Sequence, residues 1–162
     1  MPLVINLRHL EHKDLILKGE LPAAELELDQ ADELIHAPHP LLYELEAQRI
    51  DHDLLVHGTL QITLECECAR CLKPFPRELN FETWAVHLPL EGEEKVEIVN
   101  DTVDLTPYIR EDILLAFPQH PLCESECGGL KNPPSIGAKG SNGADQIDET
   151  SSAWAELNKL KL

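Results

Sequence analysis

The chain is poor in aromatic residues and in cations. Two Trp, two Tyr and three Phe occur in 162 residues, so Leu, Ile and Val must build most of the core. Thirteen Lys and Arg stand against thirty Asp and Glu, for a net charge of -17. A protein that neutralises many phosphates needs a broad basic face. This composition excludes a large one; the acidity either simply keeps the protein soluble, the reading that charge alone favours, or draws it toward basic partners such as ribosomal proteins. No run approaches the ~20 apolar residues of a membrane-spanning helix. The start, Met1-Pro2-Leu3-Val4-Ile5-Asn6-Leu7-Arg8, lacks the charged segment and apolar stretch of a signal peptide. The expected location is therefore the cytoplasm, where thiols stay reduced. Gly-rich phosphate loops, a nucleophile elbow and HExxH are also missing. No catalytic residue and no small-molecule substrate are expected.

What is present is strand periodicity. Val4–Leu7 and Leu15–Gly19 read as extended, and residues 22–40, with Pro22, Pro38 and Pro40, suit a short helix or an irregular strand. Leu41, Tyr43, Leu45 and Ala47 alternate with Leu42, Glu44, Glu46 and Gln48, which marks a half-buried strand. A turn over 49–53 leads to the best alternation in the sequence. Leu54, Val56, Gly58, Leu60, Ile62, Leu64, Cys66 and Cys68 share one face, and Gly58 is the expected bend. Pro74-Phe75-Pro76 then blocks a helix, and the chain returns through Leu79, Phe81, Trp84, Val86 and Leu88. The apolar phase slips between Phe81 and Trp84, where a β-bulge would put both back on the core side. Val96–Val99 reads as one more short strand.

Thr106-Pro107 reads as a helix start, with Thr106 as N-cap and Pro107 in the first turn. Ile109, Ile113, Leu114 and Phe117 follow at helical spacing, and Pro118 ends the helix. The expected fold is α+β: an antiparallel sheet, open or curled toward a barrel, with one main helix and a short C-terminal helix. Residues 1–127 form the single domain, 128–150 a Gly-, Pro- and Ser-rich flexible linker, and 151–162 an amphipathic helix with Trp154, Leu157 and Leu160 as its apolar stripe.

Five cysteines, an odd number, argue against a disulfide framework in a reducing compartment. Cys66 shares the apolar face of a strand and should simply pack. Cys68-x-x-Cys71 at a hairpin tip and Cys123-x-x-x-Cys127 after the helix have the spacing of two ligand pairs, and together they make a four-thiolate structural zinc site. The rival is a zinc- or thiol-dependent redox protein. A redox CxxC ordinarily opens a helix in a βαβ setting, whereas this one lies between strands. Arg70, Lys73 and Arg77, with Phe75 among them, form the one local set of cations beside an aromatic ring. Such a set can grip phosphate and stack on an unpaired base, or it can balance Glu65, Glu67 and Glu78.

Three blocks together resemble the YceD-like family of large ribosomal RNA subunit accumulation proteins. They are the strand and knuckle Leu64–Phe75, the stretch Val103–Pro118 leading to Cys123 and Cys127, and the tail Trp154–Lys161. The resemblance covers roughly residues 40–162. It implies a non-enzymatic role in making the large ribosomal subunit through its 23S-type rRNA. The partner would be that rRNA or the pre-50S particle, touched by Arg70, Lys73, Phe75 and Arg77, or a basic ribosomal protein, held by the acidic surface with Trp154, Leu157 and Leu160 docking. One departure stands out: fuller members continue with two further cysteines, where this chain has Lys131 and Pro134.

Overall fold

A computed structural model describes residues 1–130. The linker from 131 onward, the C-terminal helix and the stripe Trp154, Leu157 and Leu160 lie outside the described residues. Met1–Lys131 forms one compact unit.

Strand β1 (Val4–Asn6) is followed by a 3-10 turn at Leu7–Glu11 and by β2 (Leu15–Leu21). Helical turn α1 (Ala23–Leu26), a 3-10 turn at Leu28–Gln30 and the two-residue strand β3 (Ile35–His36) fill the stretch between prolines. That stretch is thus neither one helix nor one strand. Leu26, Leu28 and Ile35 are fully buried in it, so each turn serves to point an apolar side chain inward. Then come β4 (Leu41–Ile50), β5 (Asp53–Glu67), β6 (Pro74–Pro89), β7 (Thr102–Asp104) and α2 (Thr106–Leu115).

The main sheet is antiparallel and is organised around β5. On one edge β5 pairs β4 across Asp53–Gln61 and β3 at Glu65 and Cys66; on the other it pairs β6 over its whole length. Strand β2 extends the sheet beyond β4, and β1 pairs β7 as a separate two-stranded ribbon. Among the described residues no pairing closes the sheet, so it is open and not a barrel. The alternation was read correctly: Leu54, Val56, Leu60, Ile62, Leu64 and Cys66 are buried, as are Leu41, Leu45 and Ala47 across the ladder.

The β5–β6 register shifts where the apolar phase slips. Gly58 faces Trp84 and Leu60 faces Phe81, which leaves Glu82 and Thr83 opposite Thr59 alone. The extra residue on β6 brings Trp84 back to the core side, where it is buried. Its indole Nε1–H donates to Asp112 Oδ2 at 2.6 Å, fastening α2 to the sheet. Ile109 and Ile113 are fully buried below that contact.

Two expectations are corrected. Val96–Val99 is not a strand. Val99 makes one bridge with Thr102 around Asn100 and Asp101, both left-handed (φ 52° and 60°), and the tight turn leaves the preceding residues without a ladder partner. Thr106 is not the N-cap. It is the first helical residue, with Leu105 at the N-cap position; its hydroxyl accepts from the buried Leu3 N–H at 2.9 Å, and its own N–H donates to Asp104 Oδ1 at 2.8 Å.

Gly58 is fixed by a close backbone approach. A Cβ there would collide with the Glu44 carbonyl oxygen and stand 2.9 Å from Leu45 Cα. Gly58→Ala should therefore cost at least about 2 kcal/mol by forcing β4 and β5 apart. Urea unfolding measures it, and an unchanged midpoint would contradict the close β4–β5 contact.

Candidate metal centre

The loop joining β5 to β6 runs from Cys68 to Lys73. Cys68 N–H donates to the Lys73 carbonyl at 2.9 Å, and Leu72 N–H to the Cys68 carbonyl at 2.8 Å, with Leu72 left-handed at φ 60°. These bonds curl the backbone so that Cys68 and Cys71 both turn toward the chain that follows α2. That chain is held in place by the Ala69 N–H, which donates to the Pro121 carbonyl at 2.8 Å. Pro118 and Pro121 keep it from continuing the helix.

The two cysteine pairs meet. Cys68 Sγ lies 3.7 Å from Cys127 Sγ, Cys71 Sγ lies 3.6 Å from Cys123 Sγ, and all four sulfurs fall within 4.8 Å of one another. A tetrahedral ion with metal–sulfur bonds of about 2.3 Å separates its ligand sulfurs by about 3.8 Å. The donor set and its spacing therefore fit a metal ion. Cys68 is fully buried, whereas Cys71, Cys123 and Cys127 are half-buried around a cavity of about 410 Å³ that Lys73, Glu124 and Glu126 also line.

The protons on these sulfurs are distributed unevenly. Backbone N–H groups of Cys123 and then Cys71 stabilise a thiolate at Cys68 and lower its pKa to about 6. Cys123 is pushed up to about 12, first by the thiol hydrogen bond to Cys71 and then by burial. Cys127 also rises: its contact with the Gly129 N–H favours the thiolate, but burial and the neighbouring sulfurs outweigh it. Backbone N–H groups thus favour the thiolate at one sulfur, while thiol hydrogen bonds and burial keep the proton on its neighbours. A cation at their centre would favour the thiolate at all four.

Cys66, two residues before the loop, is buried in the apolar core, where burial raises its pKa. It takes no part in the cluster. Arg70, Lys73 and Arg77 are exposed at the loop and the start of β6. Phe75 is half-buried, paired in register with Cys66 and packed against the core. Sequence reasoning missed the contact of Arg70 Nη1 with the Cys127 carbonyl at 3.0 Å. It also missed Gly129, whose left-handed backbone (φ 87°) sits near the Arg70 carbonyl; the Gly128-Gly129 pair was the available signal.

Fold and site define a small α+β protein whose central hairpin meets the segment after its helix through four thiols. Residues 56–161 match the family described as "Large ribosomal RNA subunit accumulation protein YceD". An uncharacterized protein of Mycobacterium bovis is 26% identical over 91% of this chain and 79% of its own length, and one from Mycobacterium tuberculosis matches equally. The uncharacterized protein YlbN of Bacillus subtilis is 29% identical over 51% of this chain and 49% of its own. No solved structure matches. The chain belongs to the YceD family, and the family's description points to a role in accumulation of the large ribosomal subunit.

Under native conditions a thiol alkylating reagent should leave Cys66 unmodified until the protein unfolds. Peptide mass spectrometry locates the label, and native labelling of Cys66 would place it outside the core.

Proposed function

We propose that this chain is a non-enzymatic cytoplasmic factor that supports large-subunit rRNA accumulation, with a body stabilised by one structural zinc ion. The observation that carries the reading is the family match over residues 56–161, which spans both cysteine pairs and the helix between them. Zinc is the metal that suits four thiolates at tetrahedral spacing without redox chemistry. Its binding free energy would count toward folding, since the unfolded chain holds no assembled site.

The partner that charge favours is a basic ribosomal protein on the pre-50S particle. Residues 131–162 carry four lysines and four acids, so the whole net charge of -17 falls on residues 1–130. The outward positions of the sheet include Glu20, Glu44, Glu46, Asp53, Glu65 and Glu78. Lys18 is the lysine among them, and it is already paired with Glu44 at 2.9 Å. A second reading rests on the exposed Lys73 and Arg77, which would touch 23S-type rRNA phosphates directly. The packing of Phe75 weakens base stacking as part of that contact.

Thiol redox catalysis has less support. The low pKa of Cys68 is what a redox thiol would show, but its sulfur belongs to a fully buried residue that no substrate can reach. The motif also sits on a hairpin loop, without the helix N-terminus that ordinarily activates such thiols.

Loss of the protein should lower large-subunit rRNA relative to small-subunit rRNA, read on total RNA; an unchanged ratio would defeat the proposal. Glu44→Lys with Glu46→Lys should reduce co-sedimentation with pre-50S particles more than Lys73→Glu with Arg77→Glu, and the reverse order selects the rRNA reading. The purified chain should hold one zinc. Cys123→Ser with Cys127→Ser should lower zinc content and melting temperature together. Zinc should be retained near neutral pH and released as pH falls, because protons then compete for the thiolates.

A further inference from the structure

We infer that Arg70 is a positioning residue of the metal site, holding Cys127 in the coordination sphere from outside it. This rests on the zinc reading above. The four ligands are not equally anchored. Cys68 and Cys71 sit on a loop closed by the Cys68–Lys73 and Leu72–Cys68 backbone bonds. Cys123 follows Pro121 by two residues, and the Pro121 carbonyl is bonded to the Ala69 N–H. Apart from its sulfur, which meets Cys68 Sγ and the Gly129 N–H, Cys127 has a local 3.2 Å bond from its own N–H to the Glu124 carbonyl, and two glycines come directly after it. What ties its backbone to the loop is a side chain: Arg70 Nη1 donates to the Cys127 carbonyl at 3.0 Å.

Arg70 lies between the two loop ligands in sequence, so its backbone is fixed by the same turn that fixes them. Its guanidinium spans from that rigid loop to the loosest ligand. It also carries the right charge. Four thiolates around a divalent cation leave a net negative site, and Glu124 and Glu126 line the same cavity. A guanidinium on the Cys127 carbonyl offsets part of that charge while aiming the ligand's backbone. Outer-shell groups of this kind commonly change metal affinity by about 10- to 100-fold. Their effect on folding, when exposed, is small. Arg70 is thus committed to the metal site, which leaves Lys73 and Arg77 as the cations free to meet a partner at this end.

The test uses the full chain loaded with zinc, with transfer of zinc to a chromogenic chelator giving affinity and off-rate. Arg70→Ala should weaken zinc binding about 10- to 100-fold. Arg70→Lys, which keeps charge and a donor, should recover most of the loss, and Arg70→Gln, which keeps only a donor, should recover less. Lys95→Ala removes an exposed charge elsewhere and should change nothing. In excess zinc the far-UV circular dichroism should be equal for all four variants, and the melting temperature of Arg70→Ala should fall only by as much as its weaker zinc binding accounts for. Wild-type affinity in Arg70→Ala, an equal loss in Lys95→Ala, or a fall in the melting temperature of Arg70→Ala larger than its lost zinc affinity accounts for overturns the assignment. A wild-type chain that holds no zinc overturns the zinc reading itself and this inference with it.

Discussion

The hydrogen-bonded ladder between β5 and β6 carries the rest of the molecule. It runs the length of both strands, from Asp53 opposite Pro89 to Glu67 opposite Pro74. The near end of this hairpin forms the core with β4, and the far end presents Cys68 and Cys71. A strand of this length normally twists and frays. Here two local devices keep it continuous. Gly58 lets the β4 backbone close in, and the extra residue at Glu82 and Thr83 re-phases β6 so that Trp84 faces inward. Trp84 then bonds Asp112, and that contact sets where α2 lies and where the chain leaves it. The position of Cys123 and Cys127 relative to the loop thus depends on a bulge more than thirty residues earlier.

The thiol cluster has the geometry to hold a cation. Its four sulfurs stand within 4.8 Å of one another, and backbone N–H groups favour the thiolate at Cys68 while the thiol bond to Cys71 and burial hold the proton on Cys123. Packing alone does not account for the arrangement. Cys66 shows what a packed cysteine looks like in this protein: buried among apolar side chains, with its thiol proton held firmly. The clustered four instead face one another across two chain segments joined by the Ala69–Pro121 bond.

Much of this was legible in the sequence, for an identifiable reason. The alternation from Leu54 to Cys66 has one solution, since a slip by one residue would expose every apolar side chain. The bulge was legible as a break in that phase, and the cysteine pairs as spacing. The features that escaped depend on partners distant in the chain. Thr106 looked like a cap because its neighbours suit one, but the Leu3 N–H, 103 residues away, takes its hydroxyl. Val96–Val99 had the composition of a strand but not the ladder. Arg70 and Phe75 stood in the sequence as one set, cations around an aromatic ring near a knuckle. The fold separates them, turning one toward Cys127, 57 residues on, and packing the other, half-buried, against the core.

That separation changes how charge should be understood at this end of the molecule. By composition, Arg70, Lys73 and Arg77 were a small basic island on an acidic protein. Once Arg70 is bonded to the Cys127 carbonyl, the island is smaller, and Lys73 shares its cavity with Glu124 and Glu126. The outward sheet positions, by contrast, keep carboxylates with one lysine and two histidines near them: Lys18 is paired with Glu44, His87 lies 2.9 Å from Asp53, and His57 stands 3.9 Å from Glu46. Long-range fields depend on net charge rather than on single contacts. A protein built this way is drawn to positively charged surfaces and repelled by bare nucleic acid. If the proposed partner on a ribosomal precursor is right, that field meets basic proteins first and leaves RNA contact to the hairpin tip.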